Sequence, residues 1–394
     1  MKTKILFVSH DATRTGAPIV FKHLIQWVKE TGEFDFEILL KDGGVIASDF
    51  ESLGQTHILR QASGKKSLLS KIVNKITSKI FRKAQDKLPK KLRKKHFDLI
   101  YINTVAANDL APILKKQFSC PVILHVHENE YTIKNYFPNS LSPIYSSCVD
   151  LFIAVSESTQ HNLVSNYDIQ LEKVSLVYEF VHVTNFKKPT MSVFEIKQSL
   201  NLSDEFIIGG SGLTSWRKGI DLFVNVAADL LNRNPRPNYK FIWVGEENYN
   251  FRCELSYELE RLGLRKTDIL FTGSVQSPQD YFQIFDIFLL TSREDPFPLV
   301  CLEAASLSKP IICFKNSGGM PEFVANGGGV IVEYGNINAV AEAVIDLYLN
   351  KEKQMVLGLE AKTLVTQFDV SIQAPKIVNL IKKYINARGI RNNP

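Results

Sequence analysis

The sequence predicts an α/β protein made of two doubly wound, parallel-sheet domains facing a cleft, and three observations carry that expectation. Short apolar runs of strand length alternate with stretches of helical period along almost the whole chain. The alternation breaks twice, at a lysine-rich segment over 60–95 and at the polar stretch His182–Pro189, and the second break divides it into two series. At 394 residues with 45% hydrophobic content, the chain exceeds one ordinary core and fits two domains of roughly 150–200 residues. Each series has the strand–helix order of a Rossmann-like domain. The expected limits are 1–185 and 190–373, with 374–394 as a final helix.

In chain order, Lys4–Ser9 reads as the first strand, followed by the loop His10–Gly16 and a helix over Pro18–Lys29. Ile19, Val20, His23, Leu24, Trp27 and Val28 recur at helical spacing, and Pro18 suits a first turn. Gly16 stands at the strand's carboxyl end, where open α/β sheets bind ligands and where a missing Cβ permits close approach. An ordinary helix-entry glycine is the alternative. Phe36–Leu40 and His57–Leu59 are further strands, with a helix around Val45–Leu53 between them.

The segment 60–95 holds fourteen Lys or Arg against one acid, Asp86, a net charge of +13 that leaves −7 for the rest of a chain whose total is +6. The basicity is therefore local. Leu69, Ile72, Val73, Ile76, Ile80 and Ala84 form one helical stripe with lysines on other faces, the pattern of an amphipathic helix on an anionic membrane surface. A packed helix with a solvated basic face fits the same pattern. Nucleic acid is not expected as a partner, because a single aromatic, Phe81, accompanies the lysines and no nucleic-acid motif occurs. The five cysteines are odd in number and lack CxxC or zinc-like spacing, so neither a disulfide framework nor a metal site is expected and a reducing cytoplasm fits best. Ile5–Val8 is too short for a signal peptide, and no run approaches the roughly 20 residues that span a bilayer. A soluble or peripheral protein at the inner face of the cell membrane is the expectation.

Alternation resumes with Asp98–Asn103 as strand, Val105–Phe118 as helix, Pro121–His127 and Asp150–Val155 as strands, and Glu157–Ser165 as helix. A period of two places His125 and His127 on one face of their strand. His127, at the carboxyl end, is expected to look into the cleft, whereas His125 reads as a satisfied core residue. After the strand Val174–Phe180 and the linker His182–Pro189, the second series supplies strands Phe206–Gly210, Lys240–Gly245, Ile269–Gly273, Ile284–Leu290, Pro310–Phe314 and Val330–Glu333. The first of these runs into Gly209-Gly210-Ser211-Gly212. Arg217-Lys218-Gly219 then precedes a helix with the stripe Ile220, Phe223, Val226, Ala227 and Leu230. Two cations at a helix N-terminus oppose the macrodipole, so an anionic ligand explains them better than chance does; a solvated loop pair is the alternative.

The densest stretch is Thr291–Glu303, TSREDPFPLVCLE, followed one strand later by Ser317–Glu322, SGGMPE. Pro298 suits the first helical position, which leaves the amides of Leu299 and Val300 to face an anion such as a diphosphate. Glu303 leans back toward the same helix end and can accept hydrogen bonds from two ribose hydroxyls. Asp295, just before Pro296, offers a carboxylate to the same loop; capping of the turn is its alternative role.

Together SGLTSWRKGIDLF, YKFIWVG, LFTGSV, LLTSREDPFPLVCLEA and GGMPEFV resemble the family 4 retaining glycosyltransferases of the GT-B architecture, over nearly the whole chain. The resemblance implies a nucleotide-sugar donor in the second domain, with Arg217 and Lys218 at the diphosphate, Leu299 and Val300 donating backbone N–H bonds to it, Phe297 in the same loop, and Glu303 on the ribose. Gly318 and Gly319 would approach the sugar. The first domain would hold a glycan or lipid-linked acceptor, with Gly16 at its floor and His127 near the reacting sugar, and Ala374–Arg388 would pack back on that domain. No cofactor and no metal are implied, since no DxD sequence occurs, and cell-surface polysaccharide or lipopolysaccharide synthesis is the implied setting. The chain departs from the family pattern at Asp295, where the paired-glutamate motif has its first glutamate, and at Gly212, where many relatives carry arginine. Those departures leave open a catalytically silent GT-B scaffold that binds a nucleotide-sugar or glycan.

Overall fold

The computed structural model describes residues 2–60, 88–183, 189–233, 238–247, 249–265 and 267–391. The stripe Leu69–Ala84 lies outside them; of the basic segment's carboxyl end, Lys90–Arg93 is a short helix. The chain forms two compact units, one running to Tyr178 and taking in the chain again from Val370, the other spanning Glu179–Asp369. These limits fall a few residues before the expected 185–190 and 373–374. Val181 bridges Asp369, whose carboxylate accepts the Val183 N–H at 2.7 Å, so the entry to and exit from the second unit are tied together.

The first unit holds β1 (Lys4–Ser9), β2 (Asp35–Asp42), β3 (Thr56–Arg60), β4 (Leu99–Asn103), β5 (Val122–Val126), β6 (Leu151–Ala154) and β7 (Val174–Leu176). They form one parallel sheet in the order β3-β2-β1-β4-β5-β6-β7. The order reverses between β1 and β4, which opens a crevice at their carboxyl ends. Alternation along β1 sends Leu6 and Val8 into a core with Ile100, Ile102 and Leu124. It sends Phe7 to the other face, edge-on to Phe21 and Phe36. The helix Gly16–Thr31 buries Val20, Phe21, Leu24, Ile25 and Val28 and stops at Gly32, whose φ of 62° needs no Cβ. The final helix, Val370–Arg391, packs against it.

The second unit holds β8 (Phe206–Ser211), β9 (Tyr239–Val244), β10 (Ile269–Phe271), β11 (Ile287–Leu290), β12 (Ile311–Phe314) and β13 (Gly329–Val332), all parallel in the order β10-β9-β8-β11-β12-β13. Its reversal lies between β8 and β11. The helix Ile220–Leu231 buries Phe223 against Phe241 and Trp243, at ring-centroid distances of 5.5 and 5.1 Å.

Three expected elements differ, and two short helices are additional. Val105–Phe118 is a 3₁₀ turn, Val105–Leu110, followed by the helix Ala111–Phe118, because Pro112 begins a fresh first turn. The strand expected over Ile284–Leu290 begins only at Ile287; Ile284 and Phe285 are buried in the turn that follows the helix Pro278–Phe282. Val174–Phe180 is a strand only to Leu176. Short helices Glu130–Tyr136 and Pro143–Ser146 stand where none was expected. Among the described residues no helix is long and apolar enough to cross a membrane.

Candidate functional site

The loops leaving β8 and β11 define the crevice of the second unit. The glycines at the end of β8 answer to packing: a Cβ at Gly209 would fall 2.0 Å from the Phe285 ring and one at Gly210 2.7 Å from Trp243. The following loop ends at Gly219, where φ is 66° and a Cβ would lie 1.9 Å from the Thr291 carbonyl oxygen, so the two loops meet backbone to backbone. Arg293 N–H donates to the Arg217 carbonyl at 2.8 Å, and Arg217 Nη1 donates to the Glu294 carbonyl at 2.7 Å.

That interlock brings both expected cations to Asp295. Lys218 Nζ lies 2.5 Å from Asp295 Oδ2, Arg217 Nη1 lies 3.6 Å from Oδ1, and Ser292 Oγ donates to Oδ2 at 3.2 Å. Burial disfavours the Asp295 charge, but Lys218 and Arg217 outweigh it and hold the carboxyl below its ordinary value. Asp295 is not a helix cap: the residue at the N-cap of the helix Leu299–Ser306 is Pro298, with no side-chain cap bond. Pro298, expected at the first helical position, thus sits one residue before it, and Leu299 and Val300 carry the leading amides; Cys301 N–H reaches Pro298 O at 3.1 Å. Asp295 also pairs its backbone with the glycine loop, donating to Ser317 O at 2.7 Å and accepting from Gly319 N–H at 3.2 Å. Gly318, at φ 122°, passes so close that a Cβ would lie 1.8 Å from Asp295 O. Gly318 and Gly319 therefore shape the Asp295 loop. The Phe297 side chain is buried and stacks on Phe368 at 5.2 Å, so its ring belongs to the core and not to a ligand surface.

Glu303, one turn into the helix, is half-buried, and among the described residues its carboxylate makes no hydrogen bond or ion pair. Burial alone pushes its carboxyl up to about 7. The second unit thus presents two cations, two leading helix amides and an uncommitted carboxyl, a set suited to a phosphorylated ligand that also carries hydroxyls.

In the first unit, His127 follows β5 and its Nε2 lies 2.8 Å from Asn103 Oδ1, at the end of β4. His125 and His127 share a face, as their spacing requires, with ring centroids 4.1 Å apart. The expectation of a satisfied His125 holds at one nitrogen only: Nδ1 pairs with Tyr101 OH at 2.6 Å, while buried Nε2 has no partner among the described residues. Burial keeps that ring neutral, well below the usual histidine range. Glu128, which sequence reasoning passed over although it follows His127 directly, is buried. It accepts from the amides of His127 (3.0 Å) and Val105 (3.3 Å) and from the Thr104 hydroxyl. Thr104 has φ 76°, a strained conformation for a β-branched residue that no sequence signal announces. Gly16 opens its helix with free space where a Cβ would stand. Among the described residues no three His, Cys, Asp or Glu side chains gather as a metal site.

Two parallel, doubly wound units with crevices at their strand reversals define the GT-B class. Comparison with known proteins supplies the family. Residues 192–364 match the model "Glycosyl transferases group 1" and residues 73–185 match "Glycosyltransferase Family 4". The chain belongs to the family 4 glycosyltransferases of the GT-B fold. It is 33% identical over 151 residues to alpha-galactosylglucosyldiacylglycerol synthase of Streptococcus pneumoniae, covering 36% of this chain and 38% of that protein. It is 24% identical over 283 residues to N-acetyl-alpha-D-glucosaminyl L-malate synthase of Bacillus anthracis, covering 68% and 70%. The match thus spans little more than a third of the first relative's length. Anabaena HepE, crystallised with UDP-glucose, superposes with a TM-score of 0.79 at 19% identity over 96% of this chain and 99% of that one.

Proposed function

We propose that this protein is a retaining glycosyltransferase that moves a sugar from a nucleoside-diphosphate sugar to a hydroxyl of a glycan or lipid-linked acceptor, in cell-surface polysaccharide or glycolipid synthesis. The observation that carries the proposal is the second unit's crevice, where Arg217 and Lys218 meet Asp295 on the loop that leads into the Leu299–Ser306 helix, whose leading amides are those of Leu299 and Val300 and whose Glu303 carboxylate has no hydrogen-bond or ion-pair partner among the described residues. A diphosphate satisfies the first group and a ribose the second. Support comes from a structural neighbour that holds UDP-glucose and from a relative named for glycolipid synthesis. In this reading the bond from the anomeric carbon to the diphosphate breaks while the acceptor oxygen attacks from the same face. The departing phosphate oxygen takes the acceptor proton, so no protein nucleophile is required. Lys218 and Arg217 then stabilise the charge that grows on the leaving diphosphate, and Asp295 stands beside them to meet sugar hydroxyls or positive charge on the ring. His127 serves the acceptor side. The basic segment 60–95 is proposed to hold the protein at an anionic membrane surface on the cytoplasmic side, where a lipid-linked acceptor would be found.

A panel of UDP-, GDP- and ADP-sugars tests the proposal, with melting shifts for binding, nucleotide release for turnover and proton NMR for the configuration of the released or transferred sugar. Retained configuration with one or more donors is expected. Binding without release of nucleotide would favour the silent scaffold, for which the Lys218–Asp295 pair is a self-contained charge cluster needing no reaction.

A further inference from the structure

Arg293 lies in the Thr291–Glu303 stretch and takes no part in the proposed chemistry, yet its side chain makes three hydrogen bonds. Its Nη1 and Nη2 donate to Asp221 Oδ1 and Oδ2 at 2.8 and 2.6 Å, a two-pronged pair with only 14% and 29% of the two side chains exposed. Nη1 also donates to the Trp216 carbonyl at 2.7 Å. The guanidinium carbon stands 4.6 Å from the Trp216 ring centroid, within range of a cation–π contact. On the main chain, Arg293 N–H holds the carbonyl of Arg217. One side chain thus grips the loop immediately before Arg217 and Lys218, and also Asp221 in the first turn of the helix they precede. The carboxylate of Asp221 favours that helix end as well.

We infer that Arg293 is a positioning residue, which fixes the Trp216–Gly219 loop so that Lys218 and Arg217 meet a diphosphate in register with the Leu299 helix end. The inference rests on the donor-site reading above and deepens it. The Lys218 and Arg217 side chains reach across to Asp295 and the Glu294 carbonyl, both on the loop that carries Arg293, so the register of the two loops sets where the cations stand. The guanidinium fork and its stacking face are both used, so lysine is not an adequate replacement; it keeps a charge on Asp221 but neither the second prong nor the stacked plane. Misplacement of the cations by about 1 Å is enough to cost roughly a hundredfold in rate.

The test compares the parent with Arg293→Gln, Arg293→Lys and Asp221→Asn. Calorimetry measures UDP against uridine, and likewise GDP against guanosine and ADP against adenosine, which isolates the contribution of the diphosphate. For the nucleotide that the parent prefers, all three variants should lose roughly tenfold or more of the diphosphate-over-nucleoside affinity ratio, and Arg293→Lys should not restore it. Melting within a few degrees of the parent separates positioning from loss of the fold. A crystal structure of Arg293→Gln reads the same claim without any nucleotide: the Trp216–Gly219 loop should move and the Arg217–Glu294 and Lys218–Asp295 contacts should break. An unmoved loop with both contacts intact overturns the inference. A parent that makes no distinction between UDP, GDP or ADP and their nucleosides instead overturns the donor-site reading, and the loop's position in the variant still decides the role of Arg293.

Discussion

Replacing Glu303 with glutamine should make the protein more stable and less able to hold a donor, with both effects set by pH. The carboxyl's value in the folded protein, about 7, lies above the ordinary 4.5 because burial removes water from the charged form. A group raised in this way contributes stability that is fully present below about pH 4.5 and is lost as pH rises through 7. Each pH unit between those two values is worth about 1.4 kcal/mol, so ionising Glu303 costs up to about 3 kcal/mol, and partial exposure of the side chain reduces this toward about 1 or 2. Glutamine keeps the shape and carries no charge. In melts of parent and Glu303→Gln, the two should coincide near pH 4 and the variant should melt higher at pH 8.5, by roughly 2–8 °C for a domain of this size. Donor binding follows the opposite trend. An ionised carboxylate accepts from two ribose hydroxyls and an amide does not, so parent affinity should rise as pH passes 7 while the variant stays weak and flat. A variant that melts no higher at pH 8.5, or one that binds the donor like the parent, would refute the assignment of Glu303 as an uncommitted buried carboxyl awaiting a ligand.

Lys218→Ala should lower turnover on the order of a hundredfold through lost leaving-group stabilisation, read by nucleotide release at saturating donor. Asp295→Asn should lose most of the transfer rate while Asp295→Glu remains active; equal activities in a steady-state assay would reduce Asp295 to a counter-ion of Lys218. Gly318→Ala should destabilise by roughly 1–3 kcal/mol from backbone strain alone, before its clash with the Asp295 carbonyl, and denaturant unfolding measures it. The segment 60–95 should carry the protein onto anionic vesicles in flotation, less so as salt shortens the Debye length below about 10 Å; equal recovery on neutral vesicles would leave only a solvated basic face.

Periodicity made most of the architecture legible. Lys4–Ser9 ends where its apolar run ends, and the Gly16–Thr31 helix follows from the spacing of Val20, Leu24 and Val28. Periodicity failed where a run of apolar residues is buried for reasons other than strand pairing, as at Ile284 and Phe285. It also failed at Val105–Phe118, where Pro112 splits the expected helix into a 3₁₀ turn and a shorter helix. Motif spacing placed Arg217 and Lys218 just before one helix and Leu299, Val300 and Glu303 within another, because each stands a fixed step from a glycine or proline that sets a helix start. The bonds among them were not legible. Arg293 and Asp221 are 72 residues apart, and Lys218 and Asp295 are 77 apart; only the reversal that sets β8 beside β11 brings them together. The same limit hid the packing of Gly318, whose absent Cβ makes room for the backbone of Asp295.

The most direct measurement is a crystal structure of the parent protein grown with the nucleotide-sugar that gives the largest melting shift. The diphosphate should lie between Lys218, Arg217 and the amides of Leu299 and Val300, with the Lys218–Asp295 pair opened and the ribose hydroxyls on Glu303. A diphosphate bound elsewhere, with Lys218 still closed on Asp295 and Glu303 untouched, would contradict the account.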